Sequence, residues 1–92
     1  RADLKPTEAV VNSAVTREIT QKQYDALVSF TFNLGAGTFK SSKVLSYTNE
    51  GNYQAAADEL LQYVYAGGRL IDGLRKRREE ERAMYLSSLP QG

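Results

Sequence analysis

The 92-residue chain contains no cysteine and no histidine. Without cysteine there is no disulfide and no thiolate chemistry; the absence decides nothing about compartment. Without histidine it lacks the commonest general base and the commonest metal ligand, and no metal site or cofactor is expected. Net charge is nearly absent: 12 basic against 11 acidic residues leave +1. That bulk charge argues against a nucleic-acid partner. No apolar run approaches the roughly 18 residues of a membrane span. The opening RADLKPTEAV has no apolar core of a signal peptide. The chain does not begin with Met, so an upstream segment stays open.

What is present fits one small domain. The hydrophobic share is 41 % and the charged share 25 %, ordinary for a globular protein. There is no internal repeat and no low-complexity tract. Ala9, Val10, Ala14 and Val15 predict a helix of about three turns near the start. Pro6 either occupies its first position, where a missing N–H costs nothing, or kinks a helix begun earlier. Thr20 and Gln23 form a capping-box pattern ahead of a helix over 21–34. That helix is apolar on nearly every side, as a central buried helix would be. Val28, Phe30 and Phe32 also alternate as a strand would, but no neighbouring segment offers a partner. Gly35 and Gly37 end it.

Ser41 or Ser42 caps a short helix to about Asn49. Asn52 caps the most regular one, whose Tyr53, Ala56, Ala57, Leu60, Leu61 and Val64 follow the helical period. Gly67 and Gly68 are expected to stop it, and Asp72 to cap a last helix over 73–86. Four to five helices and no strand predict an all-α, small orthogonal bundle.

The residues alone reveal no catalytic apparatus. A glycosidase needs two carboxyls flanking a cleft. Asp58 and Glu59 are adjacent on the polar face of an amphipathic helix and read as solvated. Glu79, Glu80 and Glu81 follow Arg75, Lys76, Arg77 and Arg78, and their i, i+4 spacing reads as surface ion pairs. The same glutamates cancel much of the basic cluster's field, and no aromatic is interleaved to stack on bases. Gly35-Ala36-Gly37 follows a helix and lacks the GKS or GKT ending of a phosphate loop. Six Tyr and three Phe suit a small core or a carbohydrate site.

Four ordered blocks add a resemblance. ALVSFTFNLGAGTF (26–39) resembles the central buried helix and following loop of the phage-type lysozymes of glycoside hydrolase family 24. GNYQAAADELLQYVYAGGR (51–69) resembles their next long helix and its Gly-Gly turn. GLRKRREEERAMYL (73–86) is similar to their closing helix, and DLKPTEAVVN (3–12) to the segment joining their two lobes. The resemblance implies a two-lobed endolysin that cuts bacterial peptidoglycan between N-acetylmuramic acid and N-acetylglucosamine. It further implies a phage-encoded protein made in the host cytoplasm and acting on the periplasmic cell wall in host lysis.

The family's catalytic pattern is Glu, eight residues, Asp or Cys, five residues, Thr. Nine positions after each Glu stand Arg17, Leu27, Glu59, Gly68, Ser88, Leu89 and Pro90, so the pattern is not met. The glycine-rich segment that follows the family's Glu is absent too. The resemblance therefore covers the C-terminal helical lobe only, with residues 1–19 as a remnant of the interlobe helix and linker and 20–89 as the lobe. It implies no catalytic residue here, an inactive isolated chain, and two partners: peptidoglycan and the missing N-terminal lobe. A non-enzymatic helical module that binds a partner protein is the alternative. By the same match Phe32, Asn33 and Phe39 are candidate substrate contacts. Arg77, Arg78 and Glu81 are candidates for an interlobe or a structural ion pair.

Overall fold

The computed structural model of the chain describes residues 5–66 and 68–87. Among these, six helices and one two-residue hairpin form a single bundle: α1 (Lys5–Ala14), α2 (Gln21–Leu34), α3 (Ala36–Ser41), α4 (Lys43–Glu50), α5 (Tyr53–Leu60), β1 (Tyr65–Ala66), β2 (Arg69–Leu70) and α6 (Asp72–Ser87). Gly67, Pro90 and the outer ends of the two expected segments, 1–4 and 88–89, lie outside the described residues.

α2 is the central element, as its all-round apolarity predicts. Ala26, Leu27 and Phe30 have no exposure, and Val28 has little. Its start is fixed by a complete capping box: the Thr20 hydroxyl accepts from the Gln23 backbone N–H (3.0 Å), and the Gln23 side-chain Oε1 accepts from the Thr20 backbone N–H (2.8 Å). Its end is fixed by Gly35 at φ +97°, a conformation that L side chains rarely adopt. α6 packs along α2, α1 covers another side, and α4 and α5 close the core with Val44, Ala56, Ala57 and Leu60. Val11 of α1 is fully buried in the same core, so α1 is packed against the rest of the bundle.

Three expectations need correction. The segment after Gly35 is not a plain loop: α3 forms there, and Ser42 alone then caps α4 by accepting from the Leu45 N–H. α5 stops at Leu60, not near Val64. The amides of Leu61, Gln62 and Tyr63 bond to carbonyls three residues back, which tightens and ends the helix. Val64 is nonetheless buried, because its carbonyl accepts from Ile71 N–H (3.0 Å) and draws the chain back onto the bundle. Finally, β1 and β2 pair as a short antiparallel hairpin where no strand was expected, with Tyr65 opposite Leu70 and Ala66 opposite Arg69. Helical spacing at Val64 was a coincidence of burial, which periodicity alone does not resolve.

Candidate functional site

Where α2 ends, it meets α6. Ser29 and Asn33 are four apart on α2 and share a face; Arg78 and Glu81 are three apart on α6 and share another. The two faces oppose, and a polar seam forms inside the helix–helix contact. Arg78 has 0 % exposure and Glu81 only 2 %. The Arg78 Nε lies 2.9 Å from Glu81 Oε1 as an ion-pair contact without hydrogen-bond geometry, and Nη2 donates to Glu81 Oε2 at 3.1 Å. The Ser29 hydroxyl donates to the same Oε2 at 2.5 Å. Arg78 Nη2 also donates to Asn33 Oδ1 at 3.0 Å. The Phe30 ring lies 5.2 Å from the guanidinium carbon, within cation–π range.

Burial dominates the electrostatics of this seam. Desolvation pushes the Glu81 carboxyl above its ordinary range, against the opposing pull of Ser29 and Arg78. Desolvation likewise lowers Arg78, although Glu81 favours its charged form. With Oε2 accepting from both Ser29 and Arg78, and the carboxylate paired with the guanidinium, Glu81 serves as an anchor between helices. It does not face a cleft in the manner of a catalytic acid.

The candidate substrate residues separate. Phe32 is 51 % exposed, and Asn33 beside it is exposed on the α2 end. Phe39 is fully buried, edge-on to Phe30 at 6.4 Å, and presents no surface to a ligand. Arg77 is exposed, and among the described residues none of the expected i, i+4 pairs on α6 forms. Instead Arg75 lies 3.8 Å from Asp72, and Arg82 reaches Asp58 on α5 at 2.8 Å. Asp58 is thus a partly exposed tie between α5 and α6.

Several participants lie beyond the reach of the sequence patterns. Ser29 was hidden as a small polar residue within an apolar helix. The Tyr85 and Thr48 hydroxyls meet at 2.7 Å with neither side chain exposed. Asn49 receives the Thr16 N–H (2.8 Å) and donates to Ala14 O (3.1 Å), closing the C-terminal end of α1. A hollow of about 360 Å³ lies between α1, the following loop and the start of α2, lined by Asn12, Arg17, Ile19 and Tyr24 among others. No group of three or more potential metal ligands occurs among the described residues, and none of their helices is long and apolar enough to cross a membrane.

Comparison with known proteins places this architecture. The phage lysozyme family model matches residues 1–81. The endolysin of Salmonella phage P22 is 45 % identical over 87 residues, which are 95 % of this chain and 59 % of that protein. The endolysin of Bacillus phage B103 is also 45 % identical over 87 residues, but they make up 33 % of its length. The chain thus spans well under two thirds of these curated relatives. Among solved structures, a mutant of P22 lysozyme superposes with a TM-score of 0.84 at 44 % identity, covering 91 % of this chain and 57 % of that one. The muramidase domain of SpmX from Asticaccaulis excentricus gives 0.85 at 37 % identity, covering 90 % and 59 %. The family match and the shared helical architecture agree: the chain belongs to the phage lysozyme family.

Proposed function

We propose that this chain is the C-terminal helical lobe of a phage-type muramidase that hydrolyses the glycan strand of bacterial peptidoglycan. In this reading it supplies one wall of the substrate cleft, and the N-terminal lobe supplies the catalytic carboxyl. The observation that carries the proposal is the coverage: at least nine tenths of this chain aligns with lysozymes of which it spans 57 % and 59 %. The sequence agrees, because no Glu is followed at the family's spacing by Asp or Cys. Glycoside hydrolysis needs an acid to protonate the leaving oxygen, and the buried carboxyl of Glu81 is already committed to Arg78 and Ser29.

α1 and the loop to residue 19 are then the end of the interlobe connection, and residues from Thr20 onward are the lobe proper. Phe32 and Asn33 form the sugar-facing edge. Arg78 and Glu81 act structurally within the lobe, and Arg77 remains free to meet the other lobe. Action on the periplasmic wall after synthesis in the host cytoplasm follows from the endolysin reading.

The test is a fusion. The N-terminal portion of P22 endolysin, joined ahead of this chain, is expected to release reducing ends from purified cell walls. This chain alone is expected to release none. Lysis by the chain alone, abolished by an internal substitution, would refute the division of labour. A fused protein that folds by circular dichroism yet stays inactive would refute the lobe assignment.

A further inference from the structure

We propose that Asn49 is a positioning residue: from the corner between α4 and α5 its amide clasps the end of α1 and so holds, at a fixed angle, the helix that leads to the other lobe. This rests on the reading of α1 as the end of the interlobe connection.

A helix leaves its last carbonyls without intrahelical partners. At the end of α1 a side chain from elsewhere in the bundle meets that need. Asn49 Nδ2 donates to Ala14 O at 3.1 Å, and Asn49 Oδ1 accepts from the Thr16 N–H at 2.8 Å. One partner is a backbone acceptor and the other a backbone donor, so the amide has a single orientation and grips the chain on both sides of Val15. The same corner holds the residues that follow. The Arg17 guanidinium carbon lies 5.7 Å from the Tyr53 ring centroid, within cation–π range. The Tyr53 hydroxyl donates to Glu18 O at 3.4 Å. Gly51, at φ +82°, leaves the space that Arg17 fills: a Cβ there would stand 2.6 Å from Arg17 Nη1. Residues 14–18 are thus fastened to residues 49–53.

The rest of α1 is held less firmly. Val11 is its one fully buried residue, and Lys5, Pro6 and Ala9, nearer its start, are exposed. Between α1 and the start of α2 lies the 360 Å³ hollow, lined in part by Asn12 and Val15 and bridged by the Asn12–Tyr24 hydrogen bond at 3.3 Å. The packing leaves α1 room to tilt about the end where the clasp sits. Ten residues make an arm about 15 Å long, and a tilt of about 10° moves its far end by roughly 3 Å. A misplacement of about 1 Å between reacting groups can cost about a hundredfold in rate. Asn49 thereby bears on the chemistry through α1, without touching substrate.

Spin labels test the clasp in this chain directly, since it has no cysteine of its own. Nitroxides at Ala9→Cys on α1 and Lys76→Cys on α6, both exposed positions, report the tilt of α1 as a distance distribution. Asn49→Ala is expected to shift or broaden that distribution by about 3 Å, the end displacement of the arm, with the helical circular dichroism unchanged. Asn49→Asp has the same shape but no donor for Ala14 O; it should move the labels the same way, and it serves as the second reading if the alanine variant folds poorly. Leu60→Val loosens the core without altering the clasp, so it should lower the melting temperature and leave the distance as in wild type. In the fused protein described above, Asn49→Ala should lower kcat on purified walls about tenfold or more with KM little changed, and Leu60→Val should not. Unchanged label distances in both Asn49 variants would overturn the inference alone, as would shifted distances with unchanged kcat. A fused wild type that folds yet stays inactive would overturn the lobe reading instead, and the label distances would still decide whether Asn49 holds α1.

Discussion

Removing Arg78 should be far more damaging than removing Arg78 and Glu81 together. The side chains of the pair are 0 % and 3 % exposed. Arg78→Met leaves a carboxylate buried with only the Ser29 hydroxyl beside it. Stranding one member of a buried pair costs about 3–5 kcal/mol. A chain of this length is expected to have a total stability of about 5–14 kcal/mol. The single substitution therefore removes about a fifth of the stability at the least, and at the low end most or all of it. With about 4 °C or more of melting temperature per kcal/mol at this size, Tm should fall by about 12 °C or more. The double variant Arg78→Met, Glu81→Leu buries no charge and keeps similar volume. Replacing both partners of such a pair is close to neutral or stabilising. Against that stands the Ser29 hydroxyl, which loses its partner at about 1 kcal/mol. The double variant should lie within about 2 kcal/mol of wild type. Urea titrations of all four proteins of the cycle, with equal m-values as the control for two-state unfolding, give the coupling. A loss under about 1 kcal/mol for Arg78→Met would refute the reasoning. So would a double variant less stable than either single one.

Glu81→Gln tests the sign of the burial effect. The folded-state carboxyl is raised above its ordinary 4.5, so the folded protein holds that proton more tightly than the unfolded chain does. The stability this contributes is fully present below 4.5 and is lost as pH rises through the folded value. The stability of wild type minus that of Glu81→Gln should therefore be most favourable to wild type in acid and fall as pH rises above 4.5. Urea midpoints taken in steps from acid to neutral would contradict this if the difference grew instead. Tyr85→Phe removes an unexposed hydroxyl pair with Thr48 and should cost about 1–2 kcal/mol; a change within error would mean the pair contributes nothing. Thr20→Ala breaks the capping box of α2 and should cost about 1 kcal/mol by the same assay, with Thr20→Ser recovering most of it.

The bundle was legible where local chemistry and tertiary packing agree. Thr20 with Gln23 marked the start of α2, and Gly35 marked its end because both signals act within a few residues. Ser42 likewise capped α4. The failures share a cause. Val64 continued a helical period while the backbone had already turned at Leu60, since burial by a returning strand leaves the same apolar residue in the sequence. Phe39 looked like a partner for Phe32 in the same motif. Yet α3 turns one ring into the core and α2 leaves the other half in solvent, a difference of direction that spacing does not encode. The α6 charges were legible only in part: Arg78 and Glu81 were already candidates for a structural pair, but the surface pairs expected around them do not form. RKRREEER offers several i, i+4 pairs, but the helix turns Arg78 and Glu81, at i, i+3, into the bundle, and Asp58 draws Arg82 across to α5.

The burial of the Arg78–Glu81 pair has a structural consequence. A run of eight charged residues would ordinarily be an outward face, yet two of them sit at the centre of the α2–α6 contact. An apolar pair there would hold the helices together as well, by the arithmetic of the double variant. What an apolar pair would not do is specify the orientation of the α2 end. Hydrocarbon packing tolerates small slides along a helix; a buried ion pair with directed hydrogen bonds to Ser29 and Asn33 does not. The charged seam therefore trades little or no stability for a fixed register between α6 and the last turn of α2. That turn carries Phe32 and Asn33, so the seam sets the position of the surface to which the proposed function assigns the glycan.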